Sequence, residues 1–85
     1  MPRAKERIEL TDHIVVDPQI CHGKPTIKGT RIMVANVLES FEYNRDIDEV
    51  MRVWDGRVSR QAILDCLRVA GQLINDYFRD EAAGS

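Results

Sequence analysis

Eighty-five residues, 44% of them hydrophobic and 31% charged, make one small soluble domain that can bury roughly 60–65% of its unfolded surface. The net charge of −2 excludes strong long-range attraction to nucleic acid, so any DNA contact must come from a local patch. Residues 1–31 sum to +2 and residues 32–85 to −4, which puts the cationic excess near the N-terminus.

The first segment, MPRAKERIELT, is polar and charged and reads as a loosely ordered arm over residues 1–11. It has no apolar leader region, and no stretch of the chain reaches membrane-spanning length, so a cytoplasmic protein is expected. Cys21 and Cys66 are then two reduced thiols rather than a staple. HIVVDP is a short β-branched run closed by Asp17-Pro18, which predicts a strand and a turn. Gly23, Pro25 and Gly29 forbid a helix over 22–30, and TIKGTRIMV predicts a second extended segment around a Gly29 turn. Residues 12–33 therefore read as a β-hairpin region.

At Val34 the apolar period changes from 2 to 3.6. Val34, Val37, Leu38 and Phe41 form the stripe of a first helix. Asp46 followed by Glu49 resembles a capping box and opens a second helix with Ile47, Val50, Met51 and Trp54 inward. Gly56 marks a tight turn, and Ser59 caps a third helix. Its inward face is expected to be Ile63, Cys66, Leu67, Ala70, Leu73, Ile74, Tyr77 and Phe78, with its end near Arg79 or Asp80 and a flexible tail over 81–85. The fold class is mainly α: a small N-terminal β-hairpin followed by a trihelical helix-turn-helix over 34–80, within a single domain spanning 12–80. Five aromatics make a thin core. The apolar end of the third helix also outruns what three helices can cover, so a homodimer is expected, through that end or the hairpin edge.

Several chemistries are excluded by spacing. A phosphate-binding loop needs glycine five residues before the Gly-Lys pair and a helix after it, but Gly23-Lys24 is followed by Pro25. His13, Cys21, His22 and Cys66 lack the paired spacing of a zinc site, and adjacent Cys21 and His22 are poorly placed as nucleophile and base. No catalytic residue, metal or cofactor is expected. The helix-turn-helix spacing is the stronger signal. Arg57, Ser59, Arg60 and Gln61 surround the start of the third helix, and Gln61, Asp65, Arg68 and Gln72 align away from its apolar stripe. Arg and Gln suit bidentate contacts with guanine and adenine. The same pattern also fits a helical interaction module that never touches DNA.

The stretch IVVDPQICHGKPTIKGTRIMVANVLE resembles the signature of the domain-of-unknown-function family 433. Asp17, Pro18, Cys21, Gly23, Lys24, Pro25, Gly29, Thr30 and Arg31 carry the resemblance, which covers roughly residues 13–70. Met33 and the turn WDGRVS depart from the family pattern. The resemblance implies a homeodomain-like or winged-helix-like trihelical fold and an antitoxin of a toxin–antitoxin module, paired with a PIN-like nuclease toxin and binding operator DNA. The glycines are expected at φ > 0, and Arg31 is expected to pair with Asp17. Lys24 and Lys28 either touch phosphate from a wing-like position or keep an exposed edge strand soluble.

Overall fold

The computed structural model describes residues 6–84, with side chains described as far as Phe78. Three short strands, β1 (Ile8–Glu9), β2 (Ile14–Val16) and β3 (Thr26–Ile27), precede three helices, α1 (Val34–Asn44), α2 (Ile47–Val53) and α3 (Arg60–Gly84). The strands form an antiparallel sheet in the order β1-β2-β3, with Ile8 opposite Val16 and Ile14 opposite Ile27. The expected hairpin thus gains a third strand from the polar arm. Residues 8–9 are paired because a β-branched β2 offers hydrogen-bonding edges on both sides, and Lys28 Nζ reaches Glu9 Oε1 at 2.7 Å. That contact holds the Glu9 carboxyl below its ordinary value. The first five residues of the expected arm lie outside the described residues.

Between β2 and β3 the chain turns twice. Asp17 Oδ1 accepts from Gln19 N at 2.8 Å, closing the first turn on itself. Cys21, His22 and Gly23 then follow with φ of 50°, 58° and 81°, three consecutive left-handed residues. Only the last is a glycine, so Cys21 and His22 hold a conformation that L-residues adopt at a cost. The second turn is stitched by Thr30, whose Oγ1 donates to the Ile27 carbonyl and accepts from Ile32 N, both at 2.9 Å.

Both expected helix starts form. Asp46 Oδ1 accepts from Asp48 N at 3.2 Å, and Ser59 Oγ accepts from Ala62 N at 3.1 Å. Glu49 pairs with Arg52 at 3.2 Å, an i,i+3 contact within α2. α1 begins without a side-chain cap; Val34 N instead donates to the Pro25 carbonyl at 2.9 Å, which ties the helix to the loop before β3. α3 runs to Gly84, past the end expected near Arg79, and takes in most of the segment read as a flexible tail; Ser85 lies outside the described residues.

The core joins Ile14, Ile27 and Ile32 from the sheet region to Val34, Val37, Val50, Val58, Ile63, Cys66 and Val69 from the helical region. Burial pushes the Cys66 thiol up to about 12, with the neighbouring Asp65 charge adding to the rise. Two expectations are corrected. Leu67, Ile74, Tyr77 and Phe78 are exposed, while Ala62 and Val69 are buried, so the inward face of α3 is rotated from the one expected. Trp54 is half-buried rather than largely buried, standing at the end of α2 with its Nε1–H donating to Ser40 Oγ of α1 at 3.2 Å. Trp54→Ala should accordingly cost about 2 kcal/mol, below the roughly 3–5 kcal/mol of a fully buried indole, and Ile63→Ala about 3 kcal/mol. Urea melts that ranked Trp54→Ala above Ile63→Ala would contradict this packing.

Candidate nucleic-acid interface

The polar face of α3 is organised by a carboxylate that stands inside the fold. Asp65, expected on an exposed face, is buried with 7% of its surface accessible. A carboxylate there needs donors, and three reach it. Thr11 Oγ1 donates to Oδ2 at 2.8 Å, His13 Nδ1 to the same oxygen at 2.9 Å, and Gln61 Nε2 to Oδ1 at 3.1 Å. Thr11 Oγ1 also accepts from the backbone N–H groups of His13 and Ile14, at 3.0 and 3.1 Å. The result is a polar knot between the segment after β1 and the first turns of α3.

The geometry fixes which atoms remain available. An ionised carboxylate only accepts, so Nδ1 of His13 carries a proton in this contact and Nε2 points away from Asp65. By the same logic the amide nitrogen of Gln61 must face Asp65, leaving its Oε1 and one N–H for other partners. Ser59 Oγ accepts from Ala62 N and retains its own hydroxyl proton to donate.

Two adjoining clefts open on this side, sharing Asp12 and His13. One, of about 280 Å³, has Lys28, Arg57 and Ser59 in its wall. The other, of about 340 Å³, has Gln61, Asp65 and Arg68. Five of the seven residues expected to contact DNA therefore line this one side of α3. The other two are elsewhere. Arg60 pairs with Asp48 of α2. Lys24 sits at the edge of an apolar groove of about 300 Å³ between the start of α1 and the middle of α3, beside Pro25, Val34 and Leu73.

The signature residues act within the turns. Gly23 and Gly29 both have φ of 81°, as expected of them. The expected Arg31–Asp17 pair does not form: Asp17 Oδ1 accepts from Gln19 N, while Arg31 is exposed and its carbonyl accepts from Cys21 Sγ at 3.4 Å. Among the described residues no group of three His, Cys, Asp or Glu is placed to hold a metal ion, and no helix is long and apolar enough to cross a membrane. Thr11 and His13 are the residues that sequence reasoning missed. Both stand in the bend between β1 and β2, folded on itself by the Thr11 hydroxyl, a signal that becomes readable only once Asp65 is known to lie opposite.

A family model described as "Protein of unknown function (DUF433)" matches residues 14–70. No curated protein and no solved structure matches the chain.

The hydrogen bond from His13, helped by those from Thr11 and Gln61 and opposed by burial, holds the Asp65 carboxyl below its ordinary value of 3.8. A carboxyl depressed in the folded state stabilises the fold above its unfolded value, and that stabilisation is lost as pH falls through the folded value. The wild type should therefore lose stability below about pH 4. Asp65→Asn should cost about 1–3 kcal/mol at neutral pH and flatten that acid limb. Thermal melts from pH 2 to 7 on both proteins check this, and an unchanged acid limb in the variant would contradict it.

Proposed function

We propose a function from the premise that this chain belongs to the DUF433 family. It acts as an antitoxin-like protein of a toxin–antitoxin module, neutralising a PIN-like nuclease toxin and binding operator DNA as a dimer through the N-terminal half of α3. The observation that carries the DNA reading is the gathering of Lys28, Arg57, Ser59, Gln61 and Arg68 on two adjoining clefts beside that half-helix. The toxin partner rests on the resemblance carried by the signature over residues 17–31.

Within this reading the residues divide by chemistry. Arg57 and Arg68 are exposed and suit phosphate oxygens, which set orientation without reading sequence. Lys28 already bridges Glu9, so it reaches DNA only by exchanging that partner. Gln61 is the base reader. With one amide N–H given to Asp65, its Oε1 still accepts and its second N–H still donates, a pair that suits the amino group and N7 of adenine. Arg60, engaged with Asp48, contributes little to base reading and sets the position of α2 against α3.

A second reading, an interaction module that binds only protein, draws on a different observation. Carboxylates stand among the cations, with Asp12 in both clefts and Asp48 on Arg60, while large apolar side chains on α3 face outward. A titration against the gene's own upstream region at two salt concentrations, with and without the neighbouring gene product, separates the two. Under the DNA reading, Arg57→Ala weakens binding to all sequences and lowers the salt slope by about one. Gln61→Ala loses about 1–3 kcal/mol on the cognate site alone. Retention no greater than on random DNA in every condition would leave the protein-only module.

A further inference from the structure

The inward face of α3 accounts for Ala62, Ile63, Cys66 and Val69, and the polar knot accounts for Gln61 and Asp65. A third face is left over. Leu64, Leu67, Gly71, Ile74 and Phe78 follow one another at intervals of three, four, three and four residues, the spacing of a coiled-coil seam, over about 21 Å of helix. All five are exposed, Leu64 and Leu67 at 45% and 47%, Ile74 and Phe78 at 58% and 56%. A heptad stripe that faces outward over four turns is a surface built to meet another helix.

We propose that this stripe joins two copies of the chain, with their α3 helices packed antiparallel. Two features of the stripe select a second copy rather than a foreign helix, and the antiparallel sense rather than the parallel one. First, the pattern reads nearly the same in both directions about a point between Gln72 and Leu73. Antiparallel copies related by a two-fold axis there set Ile74 of each over the side-chain-free Gly71 of the other and Phe78 of each against Leu67 of the other, whereas parallel copies would set Gly71 on Gly71 and leave a gap. Second, Gly71 has no role within its own chain: a Cβ at this position would meet nothing within 4 Å. Glycine inside a helix is less favourable than alanine, and close approach of another backbone is what its missing side chain permits.

This assignment deepens the dimer in the reading above, and it is tested without DNA or toxin, so the two can fail separately. The experiment is sedimentation of the full chain at tens of micromolar, with circular dichroism as the check of fold. The wild type should sediment at twice its 9.7 kDa mass. Gly71→Leu should keep or raise the thermal midpoint of the dilute monomer, since nothing in its own chain is displaced, yet weaken the dimer at least about tenfold. Leu67→Lys, on an exposed position, should do the same should Gly71→Leu fail to fold. Orientation is read in a Cys21→Ser background: a disulfide should link Leu67→Cys to Phe78→Cys when the two variants are mixed. A monomeric wild type, a dimer of unchanged strength in folded Gly71→Leu or Leu67→Lys, or cross-linking of Leu67→Cys to itself in place of Phe78→Cys would overturn the proposal.

Discussion

Asp65 sits on a helix face that looks inward, and its charge is tolerated there because Thr11, His13 and Gln61 each give it a hydrogen bond. Two of those donors come from the segment between β1 and β2, more than fifty positions away in the chain, so the contact rivets the N-terminal sheet to the longest helix. Much of the remaining geometry depends on that rivet. It decides which side of α3 faces the sheet, and with it which apolar residues turn toward α1 and α2. It also orients the imidazole of His13 and the amide of Gln61. Removing one donor would leave part of a buried charge unsatisfied, which is why such a knot holds position more strictly than apolar packing of the same area.

With the sheet on one side and the two short helices on another, α3 presents three kinds of surface along one axis. The core face is aliphatic, the knot face is polar, and the outward face is a heptad stripe. Functions that need a fixed distance between a partner and a nucleic acid are served by such a helix, because it transmits position between its ends without a hinge. The sheet contributes little area of its own. β1 and β3 are two residues each, and β2 is three, so the sheet acts as a clamp on the start of α3.

Local signals are legible in the sequence and distant ones are not. Capping is local: Asp46 and Ser59 mark their helices because the acceptor and the N–H it satisfies lie within three residues. The glycine turns at Gly23 and Gly29 are legible for the same reason, since the demand for positive φ falls on a single residue. The inward face of α3 is misread because the helix carries apolar residues on two faces. A search for one stripe merges Leu67, Ile74 and Phe78 with the true core and passes over Ala62 and Val69. Asp65 is misread because acidic residues on helices are nearly always solvated, and of the donors that reverse that preference Thr11 lies on an arm expected to be loose and His13 just beyond it, far away in the chain. Trp54 lies between these cases: its place at the end of α2 follows from periodicity, but its indole nitrogen needs a polar partner and finds Ser40 near the surface.

The two thiols of this chain differ in a way that makes the core observable. Cys66 is fully buried and its ionisation is pushed to about 12, so at neutral pH it offers neither access nor thiolate to an alkylating reagent. Cys21 is only partly covered, on a surface turn. Modification of Cys66 must therefore wait for an opening that lifts α3 from its neighbours, whereas modification of Cys21 requires only local movement. The native chain thus carries its own paired chemical clocks, one keeping time for the surface and one for the rare moments when water enters the hydrophobic centre.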